Sequence, residues 1–210
     1  MEDHTQITET LIQGDDEKLI ILVQEALDSG ANPGKLLNHV LIPAMDVIGE
    51  RMESGEMFIP EVLMGARAMG LAVEMLKPLL GDGESSSAGK VIIGTVKGDL
   101  HDIGKNLVSM MMESAGFEVT DLGVDIAPEN FIAAIKDQNA TIVALSALLT
   151  TTMPMMKATV EAICESGLRE QVKIIVGGAP VNQSFADEIG ADGYAADAGS
   201  ASKLAKSYLN

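Results

Sequence analysis

Val91-Ile92-Ile93-Gly94-Thr95-Val96-Lys97-Gly98-Asp99-Leu100-His101-Asp102-Ile103-Gly104-Lys105-Asn106 is a short apolar run that breaks into a polar loop and continues into residues of helical character. The same succession returns downstream. Apolar runs stand at Val119 to Val124, Thr141 to Leu145, Ile174-Ile175-Val176 and Gly193-Tyr194-Ala195, with helical stretches at about 104–115, 128–138, 153–166, 182–189 and 200–208. The runs show no clear period of two, as expected of parallel strands buried on both faces. Strand and helix in alternation predict an α/β domain with a doubly wound, five-stranded parallel sheet. Ligands of such sheets bind outside the carboxyl ends of the strands, so the chemistry is expected in the loops that follow them.

Upstream the pattern is different. Gly81-Asp82-Gly83-Glu84-Ser85-Ser86-Ser87-Ala88-Gly89 is small, polar and rich in Gly and Ser, and reads as a flexible linker between a domain at 1–87 and one at 88–210. In the first domain a short helix is expected at about 5–13. Asp15-Asp16-Glu17 opens a second helix with negative charge at its dipole's positive end, and Ser29-Gly30 stops it. Pro33 suits a first-turn position, and Pro43 is expected to kink the helix that runs to Ser54-Gly55. Beyond Pro60, Val62, Ala66, Met69, Val73, Leu76 and Leu80 step by helical spacings and mark one buried stripe. The reading is a four-helix bundle.

Composition narrows the function. Of 210 residues, 14 are Lys or Arg and 31 are Asp or Glu, a formal charge of -17. Such a chain lacks the electrostatic footprint for nucleic acid or an anionic membrane surface. Aromatic content of 3% argues against a base-stacking platform. One Cys rules out an internal disulfide and a Cys-rich zinc or iron–sulfur site held by this chain alone; Cys164, in a helical stretch, is expected to be buried. The start lacks a basic and apolar leader, and no apolar run approaches the roughly 18–20 residues of a membrane span. The cytoplasm is the expected location.

Three loops at predicted strand ends can converge: Lys97 to Asn106, Ser146 to Thr152, and Gly177-Gly178-Ala179-Pro180. A metal-binding imidazole needs its second ring nitrogen fixed by an acceptor, and Asp99, two residues before His101, can supply one. One His with no Cys nearby cannot hold zinc. It suits a metal whose other positions a macrocycle fills, and Gly94, Gly98, Gly104, Gly177 and Gly178 would let backbone approach a bulky group. On these residues alone the alternative stays open: a loop His beside an Asp is more often structural, and strand-end glycines often just turn the chain.

The ordered set Asp99-x-His101-x-x-Gly104, Ser146-x-Leu148 and Gly177-Gly178 resembles the signature of cobalamin-binding domains with a Rossmann-like (flavodoxin-like) fold. Gly55-Glu56-Met57-Phe58-Ile59-Pro60-Glu61 is similar to the helical cap of that family's methyl-transfer branch. The chain as a whole resembles the corrinoid proteins of multicomponent methyltransferase systems, which serve methylamines, methanol, betaines or phenyl methyl ethers. It is also similar to the cobalamin-binding module of methionine synthase. The resemblance implies that a His, here His101, replaces the benzimidazole base below cobalt, that Asp99 accepts a hydrogen bond from it, and that Thr152 continues the relay. It implies that Ser146, Leu148, Gly177 and Gly178 line the pocket of the displaced base, and that Gly98, Leu100, Asp102, Ile103, Gly104, Thr150 and Ala179 border the cofactor. Asp197 and Ala198 are expected at the far end of its tail. Met52 and Ile59 match positions that cover the upper, methyl-carrying face.

On this resemblance the chain is not a complete enzyme. It would carry a methyl group on cob(I)alamin from a donor-specific methyltransferase, of the phenyl methyl ether O-demethylase or methylamine/betaine type, to a second methyltransferase with a tetrahydrofolate-type acceptor. A reductive activator would rescue oxidised cobalt. The alternatives are a cobalamin-binding mutase subunit, which usually lacks the cap, and a cobalamin-dependent regulator, which carries an output segment not visible here.

Overall fold

The computed structural model describes residues 4–80 and 88–209. Residues 81–87 of the expected linker lie outside them. The chain divides into two compact units, Met1–Ser87 and Ala88–Asn210.

The first unit is helical: α1 (Thr5–Gln13), α2 (Asp16–Asp28), α3 (Pro33–Leu36), α4 (Ile42–Ser54) and α5 (Ile59–Leu76). Asp15 caps α2 by accepting the Lys18 N–H at 3.0 Å, and Pro33 opens α3. The kink expected at Pro43 takes the form of a π-helical turn just ahead of it, Leu37–Leu41, in which the Ile42 N–H reaches the Leu37 carbonyl. Pro43 has no N–H to offer the previous turn, and the widened turn absorbs the mismatch. α1 packs on α2, α4 and α5, and α5 on α2 and α4, giving the expected bundle of four long helices. The buried face of α5 is broader than the expected stripe. Val62, Ala66, Met69 and Leu76 are buried, Gly65, Ala68 and Ala72 join them, and Val73 is half-buried. Leu80 lies past the helix end.

The second unit alternates β1 (Lys90–Thr95), α6 (Ile103–Ser114), β2 (Glu118–Asp121), α7 (Pro128–Gln138), β3 (Ile142–Ser146), α8 (Met153–Glu165), β4 (Lys173–Gly177), α9 (Gln183–Ile189), β5 (Gly193–Ala195) and α10 (Ala198–Ser207). The sheet is all parallel, in the order β2-β1-β3-β4-β5. Its two faces build separate cores. Phe131, Ile135, Met156, Val160, Ala186 and Ile189 from α7, α8 and α9 pack on one, and Met112, Ala201 and Ala205 from α6 and α10 on the other. β1, β3 and β4 are buried as expected of two-sided strands. β2 is not. It is an edge strand of intermediate and exposed residues, and shorter than the expected run to Val124, because the Gly123 N–H turns back to the Asp121 carboxylate at 2.8 Å. Cys164, expected inside, is exposed, since α8 buries the face of Met156, Thr159, Val160 and Ile163. Among the described residues no helix is long and apolar enough to cross a membrane.

The order places the reversal of winding between β1 and β3, where such sheets open a crevice at their carboxyl edge. Thr95, Ser146 and Gly177 sit side by side there in the registers of β1, β3 and β4.

Candidate functional site

Asp99 organises this edge. Its side chain is fully buried between the loops that leave β1 and β3. Oδ1 accepts the His101 backbone N–H at 3.1 Å and faces the His101 Nδ1 at 2.7 Å. Oδ2 accepts the Leu148 N–H at 2.7 Å and the Thr152 hydroxyl at 2.7 Å. Burial alone pushes a carboxyl up. Here the hydrogen bonds from Thr152, His101, the Leu148 N–H and the His101 N–H outweigh it and hold Asp99 well below the usual carboxylate range. Asp99 is therefore an anion that can only accept, so the His101 Nδ1 carries the proton and Nε2 keeps the free lone pair. The His101 side chain is 50% exposed, a wall on one side and an open ring on the other. The Thr152 hydroxyl also lies 2.9 Å from the Leu149 carbonyl; with one proton and two acceptors, it can relay but not satisfy both.

The β4 loop joins by close approach rather than by polar contact. Gly178 has φ +127°, and a Cβ there would stand 1.9 Å from the Ala147 carbonyl oxygen. Only glycine fits. Gly98, with φ +84°, turns the chain into the His101 loop. Gly94 does something else: a Cβ on it would strike the Phe131 ring at 2.8 Å, so its smallness serves the core and not a ligand. A Cβ on Gly104 would meet nothing within 4 Å, so close backbone approach is not what glycine provides there.

Four large apolar side chains on the two loops are solvent-exposed: Leu100 at 72%, Ile103 at 81%, and Leu148 and Leu149 at 41% each. Asp102, Thr150 and Ala179 are exposed, and Ser146 is half-buried. Asp197 spends a carboxylate oxygen on the Ser200 N–H at 2.8 Å, capping α10, and Ala198 is buried in that helix's first turn; they lie past the carboxyl end of β5. In the helical unit Met52 is half-buried and Ile59 is 49% exposed.

Several contributors escaped the sequence reading. Leu148, expected to line a pocket, contributes its backbone N–H, which holds Asp99. The buried Thr95 hydroxyl donates to the His101 carbonyl at 2.9 Å. Lys105, almost wholly buried, pairs with Asp121 and donates to Asn106. Asp125 accepts the Gly98 N–H at 2.7 Å. Lys105 sits inside the motif, and Asp125 follows a strand-end glycine, but neither spacing announces a partner.

A flavodoxin-like sheet whose carboxyl edge presents one oriented imidazole amid exposed apolar side chains is the class of protein that fold and site define. Among the described residues no three His, Cys, Asp or Glu side chains are placed to hold a metal together, so His101 offers a single nitrogen. Two family models match, both described as B12 binding domains, over residues 89–202 and 4–77. The chain belongs to the B12-binding corrinoid proteins. It is 44% identical over 191 residues to dimethylamine corrinoid protein 1 of Methanosarcina acetivorans, covering 90% of each chain. It superposes on a cobalamin-binding protein from Desulfitobacterium hafniense with a TM-score of 0.86 at 32% identity over all of both chains. Against a chain of the methanol:cobalamin methyltransferase complex of Methanosarcina barkeri the TM-score is 0.84 at 30% identity, covering 97% of this chain and 78% of that one.

The residues fit cobalamin. A corrin is a flat, largely apolar macrocycle that leaves its metal one open position per face. His101 Nε2 would supply a nitrogen, and the exposed leucines and Ile103 would supply apolar surface that water alone leaves unfavourably wet.

Proposed function

We propose that this protein carries a methyl group on cobalamin between two methyltransferases, with His101 Nε2 as the nitrogen that would hold its cobalt. One observation supports this above the rest: a fully buried, four-fold hydrogen-bonded Asp99 orients a half-exposed His101. Bound cobalamin supplies a cobalt centre able to accept a methyl group and to give it up. The protein's part is to hold Nε2 ready. The Thr152 hydroxyl and the Leu148 N–H hold the Asp99 carboxylate, and that carboxylate in turn orients the imidazole.

The methyl donor we assign to a methylated amine, on the strength of the relatedness to a dimethylamine corrinoid protein. The expectation of a phenyl methyl ether O-demethylase has no comparable support and becomes a test arm. The proposed partners are a donor methyltransferase, a second methyltransferase with a tetrahydrofolate-type acceptor, and a reductive activator. Likeness to a chain of a methyltransferase complex supports the first of these. Met52 and Ile59 are proposed to cover the methyl-carrying face. The test is to load the protein with cobalamin, reduce it, and add methylamine-, methanol-, betaine- and aryl-ether-specific methyltransferases separately with their donors while following the cobalt spectrum. Methylation in the amine arm is expected. Methylation only in the ether arm would overturn the donor, and none in any arm would overturn the function.

A further inference from the structure

Asp125 stands on the edge strand's loop, in a left-handed conformation (φ +57°) that non-glycine residues avoid. Its Oδ1 accepts the N–H of Gly98 at 2.7 Å, and its own N–H donates to the Asp99 carbonyl at 3.0 Å. These two bonds close a ring between the loop carrying Asp125 and the two residues that lead into Leu100 and His101. The anchor of that ring is firm. On one side of Asp125 the Gly123 carbonyl accepts the Thr95 N–H at 3.0 Å, and on the other the Ile126 N–H donates to the Thr95 carbonyl at 3.0 Å. The loop is therefore fastened to the end of β1 on both sides of Asp125, and Val96 and Ile126 form a parallel bridge beyond it. Both residues of the ring's tightest contact, Gly98 and Asp125, have positive φ. Of the two, only Asp125 uses a conformation that its residue type rarely adopts.

We propose that Asp125 is a positioning residue for the cobalt ligand: it clamps the Gly98–Asp99 backbone to the sheet, so that Asp99 and through it the His101 ring are set before cobalamin arrives. The contacts already described for Asp99 fix its carboxylate from the β3 side. The clamp fixes its backbone from the β2 side. A carboxylate held at only one end could rotate with its peptide and carry the imidazole with it. Held at both ends, it presents Nδ1 with a fixed acceptor. What the clamp requires is an acceptor atom and a residue that tolerates positive φ. Asn meets both requirements, Gly only the second, and Ala neither.

The proposal rests on His101 being the ligand, and the test separates the two. The full chain and its Asp125→Asn, Asp125→Gly, Asp125→Ala and His101→Ala variants are loaded with cob(II)alamin. Electron paramagnetic resonance then gives the ratio of nitrogen-coordinated to nitrogen-free cobalt in each. Asp125→Ala and Asp125→Gly should lower that ratio by on the order of tenfold, the scale of losing an outer-shell partner, and Asp125→Asn should restore it to near the parent value. Should Asp125→Ala fail to fold, the pair Asp125→Gly and Asp125→Asn decides, because Gly keeps the backbone conformation and removes only the acceptor. A parent signal that survives in His101→Ala would overturn the ligand assignment, and the clamp with it. A parent signal lost in His101→Ala but unchanged in Asp125→Gly would overturn the clamp alone. If Asp125→Asn behaved like Asp125→Gly, charge rather than geometry would be at work and the proposal would fall.

Discussion

The side chains proposed for function in the two units are held by different physics. In the α/β unit His101 is set by short, directional bonds around a carboxylate with no exposure. In the helical unit the side chains of Met52 and Ile59 have no strong donor or acceptor to be set by, and Phe58, Ile59, Leu63 and Met64 stand exposed. A polar network fails when one member is removed, because its neighbours are left unsatisfied. An apolar cover loses area in proportion to what is removed. Substitutions around Asp99 in the α/β unit should therefore have steep and specific effects, and those at Met52 and Ile59 in the helical unit graded and additive ones.

The largest effect is expected where backbone touches backbone. In Gly178→Val a Cβ has no room beside the Ala147 carbonyl, at 1.9 Å, and the φ is wrong for it. About 3 kcal/mol or more should be lost, seen in calorimetry as a fall of roughly 10–20 °C in the Tm of the α/β unit. A Tm within about 2 °C of the parent would show that the β3 and β4 loops do not meet as described.

Next comes the ligand. His101→Ala should abolish nitrogen coordination and weaken cobalamin affinity, read by equilibrium dialysis. Asp99→Asn should keep binding but lower affinity or activity by roughly 10–100-fold, since it removes the charge and puts an NH2 donor where one of the two accepting oxygens stood, against either the His101 or the Leu148 and Thr152 donors. An Asp99→Asn protein with parental affinity, activity and cobalt spectrum would break the contrast drawn between the two units.

The pH dependence follows from the same carboxylate. Folded Asp99 sits well below its unfolded value, near 3.9. Between those two values the folded state binds fewer protons than the unfolded one, so stability falls as pH falls. Its contribution is complete above about pH 5 and is lost progressively below about pH 4. The Tm gap between parent and Asp99→Asn should therefore be constant from pH 6 to 8 and narrow towards pH 3. A gap that widened with acid would reverse the assigned sign.

Smallest is the cover. Met52→Ala should speed the photolysis of bound methylcobalamin by less than about threefold, the order expected from losing part of one side chain's apolar cover. A loss of coordination comparable to that in His101→Ala would place Met52 in the wrong class.

The contrast also explains what the sequence made legible. Strands and helices of the α/β unit announce themselves because two-sided burial demands unbroken apolar runs; the edge strand β2, half-exposed, was drawn too long for the same reason. The Asp99–His101 pair is two residues apart and visible as a motif. Asp125 is 27 residues from Gly98, and Leu148 acts through an N–H that every residue but proline owns, so neither carries a compositional mark. Gly94 and Gly178 look alike in the sequence, yet one makes room for the Phe131 ring and the other for the Ala147 carbonyl. Which neighbour a glycine spares is decided by the tertiary fold. Cys164 was misplaced because a helical stretch gives a period but not, at its end, a phase.

The central claim is that a side chain of this protein, and not the cofactor's own base, binds cobalt from below. Cob(II)alamin carrying a 15N-labelled benzimidazole, bound to the full chain, tests it most directly by electron paramagnetic resonance. The account predicts one axial nitrogen with the splitting of ordinary 14N, and its replacement by the 15N pattern when the protein's histidines are labelled instead. A splitting that follows the label in the benzimidazole would mean that the base remains on the metal, and His101 would have no place beneath it.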